Sequence, residues 1–254
     1  MGSELYQACG LVVPSWNPLL VTNAFLDQNQ DCWIQTPEGR LRPDSGLCFG
    51  SRFLGENGRH LLEILPGTSF QRIRNRERFW LAWLIDIYAN HVDNRQAIFL
   101  EDSAGWLKSF FVDHGSLFCG PEGKLRRNIE APRYLDSRIY QSLSAQEFLY
   151  FQKIVRRLDV DHLWHQAQKL PSDWKTASAQ ARLAECLCTL STPDLFQSTL
   201  DAMVEVQRKA NKVEDDKWQS GRKPPVSVLL PGIQAAGLER RHVANRAGHY
   251  CAYR

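Results

Sequence analysis

The 254-residue chain contains no stretch approaching the roughly 18 uninterrupted apolar residues that a membrane-spanning helix requires. Its N-terminus also lacks a basic region followed by an apolar run and a cleavage site, so we expect a soluble protein that is neither membrane-embedded nor secreted. Neither sign of charge is in excess: 31 Lys and Arg against 28 Asp and Glu leave a formal charge of +3, which argues against direct nucleic-acid binding through a general basic field. A phosphate cradle is missing as well. The segment "GLCFGS" at 46–51 has two glycines but neither Walker nor dinucleotide spacing, and it reads as a turn flanking a strand. The seven cysteines (Cys9, Cys32, Cys48, Cys119, Cys186, Cys188, Cys251) are odd in number and scattered, and they read as reduced thiols of a cytoplasmic protein. No internal repeat is present.

An apolar content of 43% is ordinary for a globular chain and supports a substantial core. "SELYQACG" has helical spacing at Leu5, Ala8 and Cys9 and stops at Gly10, after which "LVVP" and "PLLVT" read as short buried strands. Residues 23–60 carry the turn signals "TPEG", "RPDSG" and "GENG". From 75 to 91, "NRERFWLAWLIDIYANH" predicts a helix buried nearly all round, with Asn75 as N-cap and Glu77 in the first turn. "QAIFL", a turn at "EDSAG" and "WLKSFFV" then predict a hairpin that ends at Asp113. Beyond Pro132 the pattern is helical. Ser144 and Glu147 form a capping box, Cys186 and Cys188 point to different faces, and Thr192, Pro193 and Asp194 open the last helix. After about Lys212 the chain is rich in Gly, Pro and Arg without a sustained period, which predicts a loose basic tail over 211–254.

A hairpin holds its ends close together, so Asp93 before its first strand and Asp113 after its second can face one cleft. Phosphoryl transfer needs such a pair: one carboxylate orients the attacking hydroxyl, while the other holds a divalent cation against nucleotide phosphates. Gly115 would let the backbone turn past the metal. Other candidates read more simply. His91 and His114 flank the two aspartates as local packing groups, and His162 and His165 share a helix face without a third ligand. "KLRR" at 124–127 reads as a solvated loop. A rival chemistry, a metal-dependent nuclease built on Asp113, Glu122 and Lys124, would need the last two on a strand, whereas "GPEGK" reads as a turn.

"NHVDNRQAIF" followed by "FFVDHGSLFCGP", with a helical C-terminal part containing "PRYLDSRIY", resembles the HipA-like kinase family. The resemblance covers roughly residues 4–210 and is specific over 86–121. It implies an α+β, protein-kinase-like fold: a domain over 1–210, with an N-lobe sheet remnant over 1–70 and a mainly helical C-lobe over 71–210. It further implies ATP and Mg²⁺ as cofactors, Asp93 as catalytic base, and Asp113 and Gln96 as the metal- and nucleotide-binding residues. Two departures stand out. Kinases place an Asn five residues after the catalytic Asp, where this chain has Ile98, and the family's glycine-rich loop and lysine would precede residue 1, with Glu4 matching that lysine's partner. The implied partners are a nucleotide, a protein Ser/Thr substrate, and a complementing N-lobe polypeptide or antitoxin-like protein. The alternative is a catalytically silent kinase-like binding module.

Overall fold

The computed structural model describes residues 1–36, 38–55, 60–120, 129–130, 132–192 and 195–219. These form a mixed α+β protein. The chain divides into two units, one of residues 1–14 and 53–214 and the other of residues 15–52 and 215–254.

The smaller unit is built from β1 (Trp16–Val21), α2 (Asn23–Gln28), β2 (Ile34–Thr36), β3 (Gly39–Leu41) and β4 (Gly46–Ser51). β1 pairs antiparallel with β4, Trp16 opposite Ser51, and β2 pairs with β3. Residues 46–51 are therefore a strand, not the turn that two glycines suggested. Thr22 begins α2 by accepting the Phe25 N–H at 3.1 Å. Cys48 is disulfide-bonded, which corrects the reading of all seven cysteines as reduced thiols. Cys9, Cys32, Cys119, Cys186 and Cys188 are free. Spacing could not separate the two classes, because bonding depends on which sulfurs the fold brings within reach.

The larger unit contains α1 (Gly2–Ala8), β5 (Leu61–Leu62), α3 (Arg78–Tyr88), β6 (Gln96–Glu101), β7 (Leu107–Val112), three later helices and a fourth as far as residue 214. α1 stops where the sequence indicates. Gly10 takes a left-handed φ of 71°, its N–H donates to the Gln7 carbonyl, and the Leu11 N–H donates to the Tyr6 carbonyl, both at 2.9 Å. This is a Schellman closure with the buried pair Tyr6 and Leu11 across it. "LVVP" forms no strand, but its Val12 carbonyl accepts the Phe111 N–H at 2.8 Å. β5, β6 and β7 make an antiparallel sheet in that order, with Gln96 opposite Val112 and Glu101 opposite Leu107. Asp102 shapes the hairpin turn by accepting from the N–H groups of Ala104 and Trp106.

Helix α3 is buried on every side from Phe79 to Asp86. Its aromatic residues meet those of the sheet and of the segment after residue 129: Phe79 packs edge-on against Phe111, Tyr134 and Tyr140. The indoles are satisfied too, Trp80 donating to the Gln141 carbonyl and Trp83 to the Ile129 carbonyl. Asn75 does not cap this helix. Its side chain instead reaches β7, donating to the Ser109 carbonyl at 3.1 Å and accepting the Ser109 N–H at 2.9 Å. An outer strand offers such an N–H and C=O pair on every second residue, and a carboxamide matches both. The neighbouring Arg74 N–H donates to the Leu107 carbonyl at 2.9 Å.

The later helices are α4 (Ala145–Arg156), α5 (Val160–Gln168), α6 (Ala177–Leu190) and α7 (Leu195–Gln219). Ser144 and Glu147 form the expected capping box. Each helix presents a narrow apolar stripe to the core: Phe151 and Val155 from α4, Leu163 and Ala167 from α5, Leu183 and Leu187 from α6, Phe196, Leu200 and Met203 from α7. Cys186 is buried and Cys188 exposed, as their spacing requires. His162 and His165 both lie on the exposed side of α5. Pro193 and Asp194 lie outside the described residues, as does the tail from 220 onward. α7 runs to Gln219, past the Lys212 limit read from periodicity, with Asn211, Lys212, Val213 and Asp216 exposed and therefore free of any apolar repeat. No described helix is long and apolar enough to cross a membrane.

Replacing Asn75 by Ala would strand the buried N–H and C=O of Ser109, at a cost of about 1–3 kcal/mol. Urea unfolding should show that loss in Asn75→Ala. A change below about 0.5 kcal/mol, the range of ordinary surface substitutions, would mean that water replaces the amide there.

Candidate active site

The site begins where α3 ends. Asn90 takes a left-handed φ of 48°, the His91 N–H donates back to the Asp86 carbonyl at 2.8 Å, and the Asn90 N–H to the Ile87 carbonyl at 3.2 Å. Asparagine here closes a second Schellman motif, a position that suits it better than most non-glycine residues. The chain therefore leaves the helix sharply and delivers His91, Val92 and Asp93 to the end of the β6–β7 hairpin.

His91 is buried. Its Nδ1 donates to the Asp93 carbonyl at 2.5 Å, and its Nε2 lies 3.4 Å from the Asp113 carbonyl. The Val92 N–H donates to the Ser116 carbonyl at 3.0 Å. The Val92–Ser116 bond joins the Asp93 loop to the Asp113 loop. The Asp93 side chain is exposed, with Oδ1 accepting the Asn94 N–H at 2.7 Å. Gln96 and Asp113 meet directly: Gln96 Nε2 donates to Asp113 Oδ2 at 2.7 Å.

Asp113 itself has a left-handed φ of 58°, whereas Gly115 does not have a positive φ. The sharp turn expected at the glycine falls on the aspartate, because its carbonyl is drawn inward by Arg95, whose NH1 donates to the Val112 carbonyl at 2.8 Å and to the Asp113 carbonyl at 3.3 Å. Arg95 is fully enclosed and forms a two-pronged ion pair with Asp86, Nε to Oδ2 at 2.7 Å and NH2 to Oδ1 at 2.8 Å. Tyr6 donates its hydroxyl to Asp86 Oδ1 at 2.6 Å, and its ring centroid lies 4.9 Å from the guanidinium carbon and 4.5 Å from the His114 ring. Burial alone would lower the Arg95 pKa, but the Asp86 carboxylate outweighs it and the value is raised.

Phe118 and Cys119 are also left-handed, with φ of 56° and 73°. With Asn90 and Asp113 they are the four non-glycine residues of that conformation among the described residues. All four lie in the two loops at this end of the hairpin, where such strain concentrates when surrounding contacts over-determine it. The contacts are specific: the Phe118 N–H donates to the Ala89 carbonyl at 2.8 Å, the Cys119 N–H to the Asn90 carbonyl at 3.1 Å, and Asn90 Nδ2 to Cys119 Sγ at 2.9 Å. Behind them Cys186 contacts Cys119, and burial pushes the Cys186 thiol up to about 12, so it stays a neutral packing group.

Of the predicted residues, the structure brings Gln96 and Asp113 into contact and ties the Asp93 loop to the Asp113 loop through the Val92–Ser116 bond. Among the described residues no group of three or more His, Cys, Asp or Glu side chains is placed to hold a metal ion. One carboxylate and one amide still suit Mg²⁺, which takes few protein ligands and completes its shell from phosphate oxygens and water. Glu122, Lys124 and the other residues of "KLRR" lie outside the described residues. Arg95, Asp86 and Tyr6 were not identified from the sequence. Their signal was Asp86 itself, a carboxylate inside an otherwise apolar helix, which demands a buried cationic partner.

The two histidines set a pH response. Burial, then the adjacent Arg95 charge, hold His114 well below the ordinary imidazole value, and the same two causes lower His91. Part of the His114 residue reaches solvent, but its Nε2 is buried, and the ring's surroundings govern its titration. Both rings are neutral in the folded chain and take up protons on unfolding below about pH 6.5. Stability from these groups is therefore complete above that pH and falls with acidification, by at most about 1.4 kcal/mol per pH unit for each ring. Urea unfolding between pH 7.5 and 5.5 should show stability falling with acidification, and His114→Asn should remove the larger part of that dependence. An unchanged slope in that variant would exclude His114 as a contributor.

The chain matches no protein-family model, no curated protein and no solved structure.

Proposed function

We propose that the chain is a HipA-like, protein-kinase-like phosphotransferase that moves a phosphoryl group from ATP to a hydroxyl, in the first instance a protein serine or threonine. The observation that carries this reading is the joining of the Asp93 and Asp113 loops by the Val92–Ser116 backbone hydrogen bond at one end of the β6–β7 hairpin, with Gln96 in contact with Asp113. The order of parts supports it: a buried helix, a loop bearing one aspartate, a two-stranded hairpin, and a second loop bearing the other.

In this reading Asp93 is the base. The Asn94 N–H fixes one of its oxygens, and the exposed carboxylate takes the proton of the attacking hydroxyl. Asp113 and Gln96 are the residues that would hold Mg²⁺, which supplies charge neutralisation for the phosphates when bound. The amide would turn its oxygen toward the cation, exchanging its hydrogen bond to Asp113 for a shared ligand. The competing reading, a silent kinase-like binding module, draws on Ile98. That residue sits in β6 opposite Phe110, where an apolar side chain offers no second ligand.

Titration calorimetry of the full chain with ATP, with and without Mg²⁺, separates the readings. Wild type should bind more tightly with Mg²⁺, Asp113→Ala should lose that dependence, and Asp93→Asn should keep it while turnover falls by roughly 10²- to 10⁴-fold. Equal ATP affinity with and without Mg²⁺ in wild type would remove Asp113 from a metal site. Mg²⁺-dependent binding without any transfer would favour the silent module.

A further inference from the structure

Arg95 occupies the point where the two loops and two helices of the candidate site converge, and its guanidinium uses separate edges for separate tasks. One edge is spent on Asp86 through Nε and NH2. The remaining donor, NH1, faces the turn that carries Asp113 and reaches the Val112 carbonyl, the Asp113 carbonyl and His114 Nδ1. Tyr6 and His114 close the ring of contacts around it. A lysine could supply charge to either set of partners but not the planar fork that serves both. Because the side chain is fully buried, it has no access to a substrate. Its influence on chemistry has to pass through the residues it holds.

We infer that Arg95 is the positioning residue that holds Asp113 in its left-handed conformation and thereby aims the Asp113 carboxylate at Gln96. An aspartate leaves the left-handed region readily unless contacts keep it there, and Asp113 has both of its flanking carbonyls taken by one cation. Arg95 is also the residue before Gln96 and two residues after Asp93, so the same side chain anchors the loop of the base. Asp86 and Tyr6 act one step further back, by fixing the fork. The inference rests on the phosphotransferase reading only for the ligand that the Asp113–Gln96 pair takes; the conformational claim stands without it.

Removing one member of a buried ion pair leaves an uncompensated charge, so Arg95→Met alone confounds positioning with unfolding; the informative variant replaces both, Asp86→Leu with Arg95→Met, which similar buried pairs tolerate. Two measurements on the full chain apply. Hydrogen exchange reads the amides of Val92, Phe118 and Cys119, which are bonded across the two loops, against those of α3. Mn²⁺ binding in the presence of ADP, followed by electron paramagnetic resonance, reads the Asp113–Gln96 pair.

The expected result is a cooperatively folded double variant whose α3 amides exchange as in wild type, whose three loop amides exchange about tenfold faster or more, and whose Mn²⁺ affinity falls to that of Asp113→Ala. Loop exchange and Mn²⁺ affinity equal to wild type would overturn the inference. A uniform rise across α3 and the loops would also overturn it, since Arg95 would then contribute to general stability alone. If wild type binds no Mn²⁺ yet the loop amides of the double variant loosen selectively, the positioning role stands and the phosphotransferase reading falls.

Discussion

A carboxylate in the middle of an apolar helix has to be answered by a cation, and the answer chosen for Asp86 organises the larger unit. Asp86 lies on the buried side of α3, and its partner Arg95 comes from the loop that follows. Tyr6 brings α1 into the same cluster, and the carbonyls of Val112 and Asp113 bring in the end of β7. Four chain segments are thus registered by one ion pair. A buried pair of this kind is weak evidence of net stability, since desolvation offsets much of the attraction. Its value lies in geometry: a planar fork accepts few arrangements of its partners, so the loops it ties cannot slide.

Around this pair the backbone adopts conformations that non-glycine residues otherwise avoid. Asn90, Asp113, Phe118 and Cys119 are each left-handed, at a typical cost on the order of 1–3 kcal/mol apiece. The cost is borne by contacts close at hand: the Schellman bonds at the end of α3, the N–H groups of Phe118 and Cys119 on the Ala89 and Asn90 carbonyls just past it, and the Asn90 amide on the Cys119 sulfur. Gly120, also left-handed, is required by space as well, because a Cβ there would come within 2.6 Å of a Val92 methyl. Two loops that share this many bonds behave as one rigid piece, which suits a site whose work is positioning.

Much of the secondary structure was readable because it follows local rules. The capping box at Ser144, the glycine stop of α1, the buried helix and the hairpin after it each depend on residues within a few positions of one another. The approach of the Asp93 and Asp113 loops was legible from their spacing around the hairpin, whereas Gln96 entered only through the family resemblance. The supporting groups were not legible. Asn75 reads as a cap from sequence, yet it bonds Ser109, 34 residues away, and Tyr6 meets Asp86 across 80 residues. Nothing near Tyr6 in sequence distinguishes it from a packing aromatic, and Gly115 drew attention that belonged to the strained aspartate beside it. The disulfide of Cys48 was hidden for the same reason, since cysteine spacing carries no record of which sulfurs approach in space.

The outer side of β7 repays a last look at its backbone. The Leu107 carbonyl accepts from Arg74, both groups of Ser109 are taken by the Asn75 carboxamide, and the Phe111 N–H is taken by Val12. Every second residue of that strand has therefore found its partner in a different, irregular stretch of chain. An incoming strand, from another copy or from a peptide, would meet no row of open donors and acceptors to template on. Recognition of this unit by other molecules must accordingly be read from side chains and loops, and the sheet ends at β7 without the liability of an open edge.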